Sequence, residues 1–174
     1  MKTNRFVFIL FLLLLAPVLV KAQQTVYYQS LSHEIQKARE LYLARNYISA
    51  ISQFEQIASK SGENSDIRAE ALFYKALCGL KLDNGNAEEQ IADFINKFPE
   101  SSFRNRALFE QGIYQFDKKK YSGVLKTLEG LNKAELSNDE VIHFHYLRGY
   151  SNFELETMDV AASDFAGIKD GNSM

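Results

Sequence analysis

Tryptophan is absent from these 174 residues, and cysteine occurs once, proline twice and histidine three times. Each shortage closes a set of possibilities. A single cysteine, Cys78, makes no internal disulfide, so stability has to come from packing. Within an apolar helical pattern it reads as a small buried side chain rather than a reactive thiol. The histidines His33, His143 and His145 do not supply the i, i+4 pair of a helical metal site. His143 and His145 are two apart and point to different sides of a helix, which reads as solvent-facing or capping. There is no Gly-rich phosphate loop, nucleophile elbow or Cys–His pairing. The carboxylate pairs Glu88-Glu89 and Asp139-Glu140 sit where helices begin, where negative charge complements the helix dipole. No basic run exceeds Lys118-Lys119-Lys120 and the formal charge is −2, which disfavours nucleic acid as a partner. The expectation is a chain with no catalytic residue, no metal and no cofactor.

The one long apolar run lies at the start. Lys2 and Arg5 precede an uncharged stretch from Phe6 to Val20, and Val20-Lys21-Ala22 places small or branched residues at the −3 and −1 positions of a cleavage site. This pattern reads as a secretory signal peptide over residues 1–22. Its 15 apolar residues fall short of the about 20 that a spanning helix needs. No cysteine near the cleavage point offers a site for a lipid. The expected mature chain, 23–174, is therefore periplasmic and soluble, without stable membrane insertion. Losing Lys2, Arg5 and Lys21 leaves it with 17 basic and 22 acidic side chains, a charge of −5.

Beyond residue 22 the sequence repeats. Ala50, Ala87, Val124 and Ala161 are each 37 apart, as are Phe54, Ile91, Leu128 and Phe165, and Ile57, Phe94, Leu131 and Ile168. Within a copy these fall at i, i+4 and i+7, one face of an α-helix, here termed B. A preceding helix, A, carries the columns Ile35, Leu72, Phe109, Tyr146 and Tyr42, Gly79, Phe116, Phe153. Between them runs a column of small residues, Ala38, Gly112 and Gly149. Lys75 is its misfit, with Ala76 beside it as a substitute. Glycine costs about 1 kcal/mol against alanine inside a helix, so its recurrence there predicts close helix approach. Tight polar turns join A to B at Arg45-Asn46-Tyr47, at 83–86, at Lys119-Lys120-Tyr121 and at Glu156-Thr157-Met158. Asn84 replaces the aromatic or methionine plug of the others, which predicts a looser second hairpin. Ser, Asp and Pro separate the copies, and Ser137 with Glu140 fits a capping box. The chain thus reads as four helical hairpins, about 30–61, 65–98, 102–135 and 138–171. Each buries its apolar face only against its neighbours, in a stack that curves and leaves a groove.

The set Ala38, Tyr47, Ala50 and Phe54, with Gly112, Tyr121, Val124 and Leu128 and then Gly149, Met158, Ala161 and Phe165, resembles the tetratricopeptide repeat. Phe98-Pro99-Glu100-Ser101-Ser102 followed by Arg106-Ala107-Leu108 is similar to the longer repeats of exported bacterial envelope proteins. The resemblance implies an all-α, right-handed superhelical solenoid that binds a partner protein or peptide in its concave groove. Helix A residues then become the candidates for contact: Phe109, Ile113, Phe116, Tyr146, Tyr150 and Phe153 as an aromatic stripe, with Tyr42 and the anchors Arg39, Arg106 and Arg148. Burial of these same rings against neighbouring helices is the competing expectation, since aromatics at helical spacing usually mean core. Rival functions are a structural subunit of an envelope secretion, motility or assembly machine, and a glycan-associated module, which the lack of tryptophan weakens. Nothing after Ile168 reads as a polar capping helix, which predicts either a longer array or self-association through the fourth hairpin.

Overall fold

The computed structural model describes residues 27–171 apart from Tyr28 and Asn64. The segment read as a signal peptide lies outside these described residues. The described chain is all-helical: α1 (29–43), α2 (Tyr47–Lys60), α3 (Asp66–Lys81), α4 (Ala87–Lys97), α5 (Arg104–Asp117), α6 (Tyr121–Glu129), α7 (Asn138–Glu154) and α8 (Met158–Gly171). One 3-10 turn, Lys133–Glu135, follows α6. No strand occurs among the described residues, and no helix there is long and apolar enough to cross a membrane. The odd-numbered helices are the A helices and the even-numbered ones the B helices.

Packing follows the order of the chain. From α2 onward, each helix packs on the next, and α3 packs on α5 and α5 on α7. The column Ala50, Ala87, Val124, Ala161 is buried throughout, and so are Phe54, Ile91 and Leu128. The glycine column does what its spacing predicts. A Cβ on Gly112 would lie 3.0 Å from Leu128 Cδ2, and one on Gly149 would lie 3.0 Å from both Asp164 Cβ and Phe165 Cε1. Each glycine therefore lets its B helix close on its A helix. In the second copy Ala76 is buried, and Lys75 is half-buried and reaches Glu55 at 2.9 Å. The largest ring cluster lies in the first half of the core. Phe73 packs on Tyr74, Phe94 and Phe103, and Tyr74 also stacks on Phe54.

All four A–B turns share a geometry that the residue types do not announce. Arg45, Asp83, Lys119 and Glu156 have φ of 59°, 53°, 57° and 61°. Each closes its A helix with a pair of backbone bonds. Lys119 N–H donates to Phe116 O at 2.8 Å and Lys120 N–H to Gln115 O at 2.9 Å, and the other three turns repeat the pattern. This is the Schellman ending, in which glycine usually holds the left-handed position. Here side chains occupy it, at about 1 kcal/mol each. Lys119 is exposed, and its replacement by glycine removes the Cβ clash. Lys119→Gly is expected to stabilise the chain by up to about 1 kcal/mol, read as a higher urea midpoint at unchanged slope.

The second turn, read as the looser one, is tied to the next hairpin, because Asp83 accepts from Tyr114 Oη at 2.8 Å and from Lys118 Nζ at 2.6 Å. One expectation about the helix ends is corrected. Leu131, in phase with Ile57 and Phe94, is buried but lies beyond the end of α6, where Gly130 caps the helix. The joints begin as read at two of three places. Ser65 accepts from Arg68 N–H, and Ser137 with Glu140 forms the full capping box, which holds the Glu140 carboxyl below its usual range. α5 has Phe103 at its N-cap position, with no side-chain cap.

Candidate aromatic face on the A helices

The stripe expected on the later A helices forms one contiguous cluster. Phe116 on α5 lies 5.7 Å from Tyr146, 5.4 Å from Tyr150 and 6.0 Å from Tyr121, between ring centroids. Tyr150 in turn meets Tyr121 at 6.0 Å, Tyr146 at 6.0 Å and Phe153 at 6.2 Å. The rings are tilted or edge-on rather than stacked flat, so π-faces and hydroxyls remain available. Phe116, Tyr121 and Tyr150 are half-buried, and Tyr146 and Phe153 are 43% and 49% exposed. Helical spacing explains the grouping. Tyr146, Tyr150 and Phe153 fall at i, i+4 and i+7 on one face of α7, opposite Phe116, and the α5–α6 turn delivers Tyr121 as the first residue of its B helix.

Electrostatics sharpen this face. The Tyr150 hydroxyl is pushed above its ordinary range by a hydrogen bond to Glu154 and by that carboxylate's charge. Tyr121 is pushed up by partial burial and again by Glu154. Both phenols stay protonated at neutral pH and remain available as donors. Nearby lysines are already engaged: Lys118 with Asp83, and Lys120 with Glu88, which Gln115 also contacts at 2.8 Å. The surface offers area, hydroxyls and a carboxylate, and no paired nucleophile and base is visible on it.

The remaining candidates separate into places of their own. Arg39, Tyr42 and Arg106 come together around a depression of about 350 Å³ that Gln36, Leu43 and Tyr74 help to line. Arg39 pairs there with Glu70 at 3.2 Å, and Arg106 lies over the Phe73 ring at 5.8 Å. Tyr42 packs edge-on to Tyr74, and burial foremost, then Glu110, pushes its hydroxyl up to about 12. Ile113 is half-buried against the core. Phe109 is a correction. Only 6% exposed and capped edge-on by His143 at 5.5 Å, it is a core residue and not a contact surface. Arg148 is a second correction, since its guanidinium is engaged by Asp164 and lies over the Phe144 ring at 5.1 Å.

The histidines do part to opposite sides of α7, but neither faces solvent as expected. His143 rests on Phe109, and His145 Nδ1 lies 3.0 Å from Asp164 Oδ1. Asp164 is fully buried, and accepts from Arg148 Nε at 2.8 Å on each oxygen as well as from its terminal nitrogen. Earlier copies place Leu108 and Gln111, or Ala71 and Tyr74, at the positions of His145 and Arg148. Among the described residues no group of three or more His, Cys, Asp or Glu is placed to hold a metal ion. Cys78 is buried, and burial pushes its thiol up to about 11, which makes it unreactive.

Glu154 and Asp164 are not singled out by the sequence, and Tyr121 enters there only as a turn plug and a member of the repeat signature, not as part of the face. Asp164 shares a column with Gln53, Gln90 and Thr127, which gives no hint of burial. No protein-family model matches the chain, and no curated protein matches it either.

Proposed function

We propose that this protein is a non-catalytic scaffold of the bacterial cell envelope that holds a partner protein or peptide on the aromatic face of its A helices. The single observation that carries the reading is the half-exposed cluster Phe116, Tyr121, Tyr146, Tyr150 and Phe153. Rigid aromatics supply large contact area at small entropic cost, and they dominate binding hot spots. A contiguous aromatic group of this kind on a protein surface commonly marks an interaction site.

The architecture supports a solenoid of tetratricopeptide-like hairpins. Successive A helices touch, at α3–α5 and α5–α7, whereas successive B helices pack on one another less. Crowding on the A side bends such a stack toward that side, which makes the A face concave and creates the groove. Export rests on residues 1–22, whose charged start, short apolar run and small-residue cleavage site read as a signal peptide. The periplasm is then the working compartment.

The test is capture from an envelope extract with the wild-type chain and with Phe116→Ala and Tyr150→Ala as baits. Both rings are half-buried at the surface, so the variants keep their helical circular dichroism. Each should weaken the captured complex at least tenfold, about 1.4 kcal/mol or more. Equal capture by all three baits would move the contact to another face.

A further inference from the structure

The second hairpin departs from the repeat at one point. α2 begins at Tyr47, α6 at Tyr121 and α8 at Met158, so the 37-residue spacing places the start of α4 at Asn84. The helix begins instead at Ala87, 87 − 84 = 3 residues late. Residue types account for the delay. Asn84-Gly85-Asn86 stands where the other B helices have their first turn, and both residue types are weak helix formers, glycine by about 1 kcal/mol against alanine. These three residues form an exposed turn, spanned by a bond from Ala87 N–H to Asn84 O at 2.9 Å. Asn86, at the N-cap position of α4, makes no side-chain cap.

That turn holds the only Asn-Gly pair of the sequence. Its backbone conformation does not call for glycine. No described glycine has positive φ, and a Cβ on Gly85 would meet nothing within 4 Å. Among the described residues, neither the Asn84 carboxamide nor the Gly85 N–H makes a hydrogen bond. An asparagine carboxamide carbon lies within reach of the backbone nitrogen that follows it, and closure gives a five-membered imide. A Cβ on the following residue obstructs that approach, and a helix holds the nitrogen away. Asn96, Asn105, Asn138 and Asn152 lie in helices, and Asn46, Asn86 and Asn132 precede Tyr47, Ala87 and Lys133. Of the described asparagines, Asn84 alone is outside a helix and followed by glycine.

We propose that Asn84 is a site of spontaneous conversion to aspartate and isoaspartate. The deprotonated Gly85 nitrogen attacks Asn84 Cγ, a C–N bond forms, and the carboxamide nitrogen leaves as ammonia. Water then opens the imide. Cleavage of the bond from Cγ to the ring nitrogen gives aspartate. Cleavage at the main-chain carbonyl gives isoaspartate, in which the chain runs through the former side chain. One water enters and one ammonia departs, with no oxidant or reductant. Either product puts a new negative charge just before α4, where the helix dipole favours it. Isoaspartate also adds a carbon to the main chain between the bonds that residue 84 makes, from its N–H to Gly79 O and from Ala87 N–H to its carbonyl. Aspartate is therefore tolerated, and isoaspartate opens the turn. The site is separate from the aromatic face and does not depend on the scaffold reading.

The full chain, held in warm and mildly alkaline buffer, is followed by peptide mapping with mass spectrometry and by isoaspartyl methyltransferase labelling. A gain of about 1 Da is expected on the peptide that carries Asn84, with methyl label on the same peptide. Its rate should rise about tenfold per pH unit, as the deprotonated fraction of the amide does. Gly85→Ala should slow it at least about tenfold and leave the helical circular dichroism unchanged, since the added Cβ has room. Isoaspartyl chains should exchange the Ala87 amide hydrogen faster than the starting protein, and Asn84→Asp should not. No mass gain at Asn84, or a gain whose rate Gly85→Ala leaves unchanged, overturns the proposal.

Discussion

Phe73→Ala is expected to lower stability by about 3–5 kcal/mol, the range for truncating a fully buried phenylalanine. The side chain has no exposed surface, and its ring meets Tyr74, Phe94 and Phe103 with centroids 4.9 to 5.6 Å apart. These partners sit on α3 itself, on α4 and at the start of α5, so the cavity opens where two hairpins join. Arg106 also loses the ring beneath its guanidinium. Domains of this size are stable by about 5–15 kcal/mol in all, so a loss of that order leaves a marginal fold. Equilibrium urea unfolding followed by circular dichroism reads it directly. A cost below about 1 kcal/mol would mean that the hairpins do not share this core.

Asp164→Ala should be nearly as damaging, at about 3 kcal/mol, for a different reason. The carboxylate is fully buried, accepts from Arg148 on both oxygens and lies 3.0 Å from His145 Nδ1. Its removal strands a guanidinium that is only about one-third exposed, and breaking a buried pair from one side costs about 3–5 kcal/mol. The partial exposure of Arg148 places the expected value at the lower end. Replacing both partners, as in Asp164→Leu with Arg148→Met, should recover most of the loss, since an apolar pair of similar volume removes both desolvation costs. A double-mutant cycle in urea measures this coupling. Additive single and double losses would show that the two side chains act separately.

The repeat was legible because its physics is periodic. A 37-residue spacing held through Ala50, Ala87, Val124 and Ala161 fixes which face of each B helix is buried, and the structure buries all four. Gly112 and Gly149 were equally readable, since only close approach explains a glycine kept at one register inside a helix. The left-handed turns at Arg45, Asp83, Lys119 and Glu156 were not readable, because no glycine or asparagine marks them. The backbone accepts the strain there in exchange for two closing hydrogen bonds and the register of the next helix.

The grouping of the aromatic rings was legible in outline, and their burial was not, because tertiary neighbours decide it. Phe109 and Phe116 occupy the same face of one helix, yet His143 covers the first and leaves the second half-open. Sequence spacing cannot make that distinction, since it depends on which residue of α7 lies opposite. Arg148 looked like a groove anchor because arginine on a helix face is usually solvated. Its partner Asp164 lies 16 residues away on the facing helix, in a column that is polar and unremarked in every other copy.

The central claim is that the partner sits on the A face of α5 and α7. A photoreactive phenylalanine analogue placed at Phe116, or in a second chain at Tyr150, tests it inside the living cell. The control carries the analogue at Gln56, an exposed position on the B helix α2. The account predicts one discrete cross-linked product from 116 and from 150, and none from 56. A product from 56 alone would contradict the account and place the binding surface on the B helices.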